Sequence, residues 1–206
     1  RGLDLIPGNL ELMEFEHDTP RILAQGNSGD YGRIFFARLD EALSTVADDY
    51  DVVVIDCPPQ LGFLTMSAIC GATAVLITVH PQMLDVMSMS QFLTMMGDLV
   101  TVIGESLPPD IRPSYDWMRY LLTRFEPNDG PQTQMAGFLR TLFGSFVLTQ
   151  PTLKSTAISD AGLTNQTIYE VERNQFTRAT YDRAVESVDA VNREIEELML
   201  RAWGRL

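Results

Sequence analysis

Residues 51–62 read DVVVIDCPPQLG, a stretch in which four apolar residues run directly into an aspartate, a cysteine and two prolines. Continuous β-branched runs are typical of strands covered on both faces in a parallel sheet, and such sheets bind ligands at the carboxyl ends of their strands. Pro58 and Pro59 cannot donate ladder hydrogen bonds, so they end the strand. The stretch therefore predicts a buried strand over 52–55 that delivers Asp56 to a ligand-binding edge. A capping or turn aspartate is the alternative.

Apolar runs and periods along the rest of the chain alternate between strand-like and helix-like. They predict an opening strand at 3–6, a turn at 7–9 and a second apolar pattern at 10–15, helices over 34–46, 64–70, 84–103, 131–143 and 184–202, strands at 74–79, 117–123 and 146–148, and a proline-rich loop at 107–113. Three or four apolar strands separated by amphipathic helices favour βα units with right-handed crossovers. We therefore expect an α/β fold with a doubly wound, mostly parallel sheet.

The composition limits the classes of protein that fit. The 206 residues are 45% hydrophobic, enough for one sizeable core, and no run approaches the length of a membrane span. The formal charge of −13 repels nucleic acid on average, so any DNA contact needs a local basic cluster. Two cysteines, Cys57 and Cys70, favour a reducing cytoplasm, and the two histidines lie outside any zinc-ligand spacing.

Several ordered blocks of the sequence carry a family resemblance. YDVVVIDCPPQLGFL at 50–64 resembles the Walker B and switch region of ParA-type deviant Walker ATPases. The likeness extends to LDLIPGNLELMEFE at 3–16, TAVLITVHPQMLDVMSMSQFL at 73–93, WMRYLLTRFEPND at 117–129, LKSTAISDAGLT at 153–164 and TRATYDRAVESVDAVNREIEEL at 177–198. The blocks are most similar to the RepA partition proteins of repABC replicons. The resemblance implies that residues 1–206 form the C-terminal portion of a single ATPase domain of the P-loop NTPase type, incomplete at its N-terminus.

The resemblance also implies a site for ATP and Mg²⁺. Asp56 would orient the water shell of the metal, and Pro58, Pro59 and Gln60 would form a switch that senses the γ-phosphate. Thr123, Arg124, Pro151 and Thr152 would line the adenine.

A phosphate loop needs glycines and a lysine, which this chain does not combine. Lys154 is its single lysine, and Leu153 and Ser155 provide no glycine cradle. We therefore expect the phosphate loop upstream of Arg1. ATPase activity is expected of the complete protein and not of this chain alone.

The partners implied by the resemblance are DNA, a second copy and a centromere-binding protein of the RepB or ParB type. An ATP-bound homodimer would bind DNA without sequence preference in the nucleoid-associated cytoplasm, and the protein would assist repression of its own operon. The candidate DNA-binding cations are Lys154, Arg173, Arg178 and Arg183. Acidic residues are interleaved with them, so a solvated helix face with intrahelical ion pairs is the structural alternative.

Three other functions remain open from the sequence. A MinD-like membrane-cycling ATPase would carry a basic amphipathic tail, whereas Glu194, Glu196 and Glu197 make this tail acidic. An iron–sulfur carrier would need paired cysteines. A non-enzymatic receiver-like signalling domain would use Asp56 as a phosphoacceptor and would need a strand-end lysine, for which Lys154 is in the wrong context.

Overall fold

The computed structural model describes residues 2–9, 11–25, 36–58, 60–106 and 114–206. The chain divides into two compact units, the first formed by 1–73 and 92–115 and the second by 74–91 and 116–206. Three expected features lie outside the described residues: the start of the helix predicted over 34–46, Pro59, and the loop at 107–113. The prediction of a single domain portion over 1–206 stays a prediction.

The first secondary-structure element of the first unit is a helix, and the strand predicted before it was wrong. No strand forms at 3–6; instead helix α1 spans Leu12–Gln25. The side chain of Asn9 accepts a hydrogen bond from the Glu11 N–H at 2.6 Å, and the Asn9 carbonyl accepts from the Leu12 N–H at 3.1 Å. Asn9 thus closes a turn that starts the helix, a role that its short polar side chain favours.

Two further helices of the first unit follow the predicted pattern. Helix α2 spans Arg38–Ser44, inside the predicted range of 34–46, and helix α3 spans Phe63–Gly71, in agreement with the helix predicted at 64–70. Both α1 and α2 pack on α3. The apolar composition of α3 explains this central position, since Ala68 and Ile69 are buried.

The segment at 52–55 does not form the predicted buried strand. It makes no ladder within the described residues, and Val54 is 87% exposed. A strand needs a neighbour to satisfy its N–H and C=O groups and a layer to cover its side chains, and the described part of the chain supplies neither to this run. The apolar residues at 52–55 therefore favour strand pairing, but the described residues provide no partner strand.

The second unit contains the parallel sheet. Strand β1, Ala74–Val79, pairs in parallel with β2, Trp117–Leu122, in a register that aligns Ala74 with Trp117 and Val79 with Leu122. Helix α4, Met83–Ser106, connects the two strands in sequence. These three elements confirm the predicted strands and the helix between them, and a parallel pair requires such a crossover.

Three helices complete the second unit: α5, Gly130–Phe143, α6, Thr156–Leu163, and α7, Arg178–Ala202. Helices α5 and α7 match their predictions. The strand predicted at 146–148 is wrong: residues 144–146 form a 3₁₀ turn, and Val147 makes only an isolated parallel bridge with Tyr120. Gly144 has a positive φ of 55°, and the turn that it allows leaves too few extended residues for a ladder.

The core of the second unit joins α7 to the sheet and to α6. One cluster contains Leu121, Leu148 and Val191, with Leu76, Ile195 and Leu198 against it; the other contains Ala157, Ala161, Ile168, Val171 and Ala184. The apolar stripe of α7 therefore docks on the sheet as its spacing predicted.

Candidate functional site

The loop after the 52–55 segment carries the predicted switch residues. Asp56, Pro58 and Gln60 are exposed, and Pro59 lies outside the described residues. The Thr65 hydroxyl, which belongs to a residue only 2% exposed, donates a hydrogen bond to the Gln60 carbonyl at 2.9 Å. The loop is thus anchored at its far end to the first turn of α3 while Asp56 faces solvent.

The chemistry of this loop fits Mg²⁺ held mainly by other ligands. Mg²⁺ is usually bound by one or two carboxylates together with water and substrate phosphates, and not by a cage of protein ligands. Asp56 supplies one exposed carboxylate, and within the described ranges no group of three His, Cys, Asp or Glu side chains could hold a metal ion. Asp56 would then orient metal-bound water.

The thiol of Cys57, next to Asp56, is less reactive than an ordinary cysteine thiol. Partial burial and the adjacent Asp56 carboxylate raise the pKa of Cys57 above its ordinary value. Both effects disfavour the thiolate, which is the reactive form. Cys57 therefore does not have the environment of a nucleophile, and the site gives no support to covalent chemistry at this position.

The start of α3 is held by an acidic side chain from α1. The Glu16 carboxylate accepts hydrogen bonds from the N–H groups of Phe63 and Leu64, each at 2.8 Å. A methyl group on Gly62 would lie 2.7 Å from both carboxylate oxygens, so the missing side chain makes room for Glu16. These two N–H groups are among those that a helix leaves without an internal partner, and a carboxylate suits the positive end of the helix dipole.

In the second unit, two segments beyond the sheet bring the predicted adenine residues together. The Thr123 N–H donates to the Val79 carbonyl at 2.9 Å, and the Phe125 N–H donates to the Thr152 carbonyl at 3.0 Å. Arg124, which lies between them, has a left-handed backbone with φ of 53°. Residues 123–125 and 151–153 therefore run side by side at the carboxyl ends of β1 and β2, where open parallel sheets bind ligands.

Polar contacts, some of them partly buried, fix the loop that follows Arg124. The amide oxygen of Gln132, a residue only 2% exposed, accepts from the Glu126 N–H at 3.0 Å, and Asp129 caps α5 by accepting from the Gln132 N–H at 3.1 Å. The Lys154 ammonium pairs with the Glu126 carboxylate at 2.9 Å. This network joins the two segments of the predicted adenine pocket through side chains.

A second carboxylate holds the segment before Pro151. Glu194 of α7 accepts from the N–H groups of Thr149 and Gln150 at 2.7 and 2.9 Å. The buried Ser187 hydroxyl of the same helix accepts from the Leu153 N–H at 3.0 Å. Helix α7 thereby fixes both ends of the segment that carries Pro151 and Thr152.

The candidate DNA-binding cations are mostly paired with acids. Arg173 donates two hydrogen bonds to Asp182, at 2.6 and 2.7 Å, and Arg178 lies 3.5 Å from the same carboxylate. Arg183 is exposed, and no ion pair to it is found among the residues that the structure describes. The ion pairs favour a solvated, ion-paired surface over a DNA-binding role for Arg173, and they do so less for Arg183.

The sequence of this chain is similar to those of known proteins. Residues 1–108 match the family model described as an AAA domain. A replication protein A of Rhizobium rhizogenes is 61% identical over 203 residues, which are 98% of this chain and 49% of that protein, and Protein SopA of Escherichia coli K12 is 29% identical over 82% of this chain and 42% of its own length. The chain thus spans about half the length of the curated relatives it matches.

A solved structure titled "Partition Protein" has a similar fold. It superposes with a TM-score of 0.70 at 16% identity and covers 96% of this chain and 50% of its own. Likeness at this identity concerns the fold, and it confirms the predicted α/β class with a mostly parallel, doubly wound sheet. Within the described ranges, no helix is both long and apolar enough to cross a membrane.

Proposed function

Because this chain belongs to the ParA-type family of P-loop ATPases, we propose that its full-length protein is an ATP-dependent plasmid-partition protein. The observation that carries the proposal is the pairing of residues 123–125 with 151–153 at the carboxyl ends of the parallel strands. This is the edge at which open parallel sheets take nucleotides. Arg124 and Thr152 would line the adenine there, and the exposed Asp56 would orient the water shell of Mg²⁺.

The remaining parts of the cycle rest on the family resemblance. The phosphate loop would lie in the portion of the relatives that this chain does not span, since Lys154 pairs with Glu126 and has no glycine neighbours. ATP would close a homodimer that binds DNA without sequence preference. A centromere-binding protein of the RepB or ParB type would stimulate hydrolysis, and the protein would assist repression of its own operon.

The proposal is tested by ATP turnover of the full-length protein. Asp56→Ala is expected to lower Mg²⁺-dependent turnover by about 10- to 100-fold, the usual effect of removing a group that orients metal ligands. Asp51→Ala is the matched control, because Asp51 is also exposed and acidic but precedes the apolar run. Asp51→Ala should keep wild-type turnover. Equal turnover of Asp56→Ala and wild type would remove Asp56 from the site, and a wild-type protein without turnover would overturn the ATPase proposal.

A further inference from the structure

The contact between Glu16 and the start of α3 connects two parts of the first unit that are far apart in sequence. Glu16 lies in α1, and the N–H groups that it binds belong to Phe63 and Leu64, 47 and 48 residues ahead, at 2.8 Å each. Both bonds are charge-assisted, which makes them roughly twice as strong as bonds between neutral groups. Glu16 is half-buried, so water competes with it less than on an open surface.

The contact continues toward the predicted switch. The Thr65 hydroxyl, one residue beyond the N–H groups that Glu16 binds, donates to the Gln60 carbonyl at 2.9 Å. Only Leu61 and Gly62 separate Gln60 from α3. A chain of hydrogen bonds therefore runs from α1 through the first turn of α3 to Gln60.

Gly62 leaves space for this arrangement. An added methyl group would stand 2.7 Å from each carboxylate oxygen of Glu16. The φ and ψ of Gly62 are −89° and 178°, an extended conformation that any residue can adopt. The glycine is therefore required by the position of the Glu16 carboxylate and not by its own backbone.

We propose that Glu16 is a positioning residue that tethers residues 60–62, the carboxyl end of the predicted switch loop, to helix α1. Its carboxylate fixes the first turn of α3, and this turn fixes Gln60. The tether is a property of the contacts alone, while its consequence for hydrolysis rests on the proposed ATPase function. A helix cap supplied from within α3 would stabilise the helix equally well but would leave the loop free of α1.

The first test measures the tether without catalysis. Amide hydrogen exchange of Phe63 and Leu64 in the full-length protein should become at least about tenfold faster in Glu16→Ala, because these two N–H groups lose their acceptor. Glu14→Ala is the matched control, since Glu14 is an exposed acid in the first turn of the same helix. Wild-type exchange in Glu16→Ala would overturn the proposal.

The second test separates tethering from capping. Gly62→Ala should displace the Glu16 carboxylate and reproduce the exchange of Glu16→Ala, and Glu16→Ala/Gly62→Ala should be no faster than either single variant. In Glu16→Ala/Gly62→Ser, the introduced serine hydroxyl can cap α3 locally. This variant should recover the wild-type melting temperature but stay more susceptible than wild type to limited proteolysis at residues 60–62. Wild-type susceptibility there would show that Glu16 is only a cap and would overturn the proposal.

The third test measures the consequence for hydrolysis. Glu16→Ala/Gly62→Ser, which restores the cap, is expected to lower kcat by about tenfold with KM for ATP within about twofold, because a misplaced loop affects the reacting geometry more than binding. Wild-type kcat in this variant would overturn the catalytic consequence. A wild-type protein without ATP turnover would overturn the proposed function. The hydrogen-exchange data would still show whether Glu16 tethers the loop.

Discussion

Arg124 is the residue whose backbone carries the most strain near the predicted adenine pocket. Its φ of 53° is left-handed, a conformation that costs a non-glycine residue about 1 kcal/mol or more. Such strain persists where the surrounding contacts enforce it, here the bonds of Thr123 to Val79 and of Phe125 to Thr152. Arg124→Gly is therefore expected to be more stable than Arg124→Ala by about 1 kcal/mol in the free energy of unfolding.

The same two variants test the side chain. Both remove the guanidinium, so both should raise KM for ATP by several-fold in the full-length protein if Arg124 contacts the base. Chemical denaturation and ATP turnover measure the two effects separately. An Arg124→Gly protein less stable than Arg124→Ala would contradict the strain argument, and an unchanged KM in both would remove Arg124 from the adenine pocket.

The sequence predicted residues on two segments that the structure brings together, and it missed two long-range contacts for a physical reason. Thr123 and Arg124 lie at the end of the strand predicted at 117–123, Pro151 and Thr152 directly precede the family block at 153–164, and the structure brings the two segments together. Glu16 and Glu194 were not predicted as site residues, because each binds N–H groups more than forty residues away. A single acidic residue in a charged helix gives no local signal of a contact over that separation.

The start of helix α5 depends on one buried amide side chain. Gln132 accepts from the Glu126 N–H at 3.0 Å and donates toward the carboxylates of Glu126 and Asp129. Gln132→Leu keeps a similar volume but leaves the Glu126 N–H without its acceptor. We expect a loss of about 2 kcal/mol in the free energy of unfolding.

The control for this variant lies on the same helix. Gln134 is exposed, so Gln134→Leu should change the free energy of unfolding by less than about 0.5 kcal/mol. Urea denaturation of both variants gives the comparison. Similar stability of Gln132→Leu and Gln134→Leu would show that the network adds little to the fold.

Two titratable groups near the carboxyl end of helix α3 make the stability of the protein decrease at alkaline pH. Burial raises the pKa of Cys70 from 9.0 to about 11, and burial with the nearby Cys70 raises the pKa of Tyr115 from 10.0 to about 12. The Tyr115 hydroxyl donates to the Ile69 carbonyl at 2.9 Å. The unfolded chain releases these protons at a lower pH than the folded chain does. The free energy of unfolding therefore keeps its highest value below about pH 9 and falls as the pH rises toward 11 and 12.

This dependence is measured by urea denaturation between pH 8 and 11. Cys70→Ala and Tyr115→Phe should each show a shallower decline than wild type, by at most about 1.4 kcal/mol per pH unit for each group. The Tyr115→Phe protein should also be less stable at pH 8, since it loses the bond to Ile69. Parallel declines in all three proteins would contradict the assignment of these two groups.

Elements with strong local patterns were predicted well, and those that depend on distant partners were not. The helices at 63–71, 83–106 and 130–143 and the strands at 74–79 and 117–122 match the apolar periods of the sequence. The run at 52–55 has the composition of a strand but lacks a ladder partner within the described residues. Strand formation is a property of a pair, so composition alone cannot guarantee it.

At the scale of the whole molecule, net charge limits how DNA can be bound. The formal charge of −13 over these 206 residues opposes DNA, so any DNA binding by this part of the protein must rely on local cations. Arg178, whose side chain is 84% exposed, and the exposed Arg183 are the best placed, because Arg173 is committed to two short bonds with Asp182. Arg178→Ala/Arg183→Ala in the full-length ATP-bound protein should weaken binding similarly on unrelated DNA sequences.

The salt dependence of binding gives the decisive comparison for this surface. Each lost phosphate contact should lower the slope of log affinity against log salt by about one. Arg193→Ala is the control, since Arg193 is exposed on the same helix ten residues beyond Arg183. If the double variant keeps the affinity and slope of Arg193→Ala, the DNA-binding surface lies elsewhere in the protein.

Plasmid loss in dividing cells is the most direct measure of the proposed ATP-driven plasmid partition. A plasmid carrying its own partition locus would encode either the wild-type full-length protein or Asp56→Ala, at equal protein level and equal copy number. We expect Asp56→Ala to raise the loss per generation to that of a plasmid distributed at random. Wild-type inheritance of the Asp56→Ala plasmid would contradict the proposed role of ATP in partition.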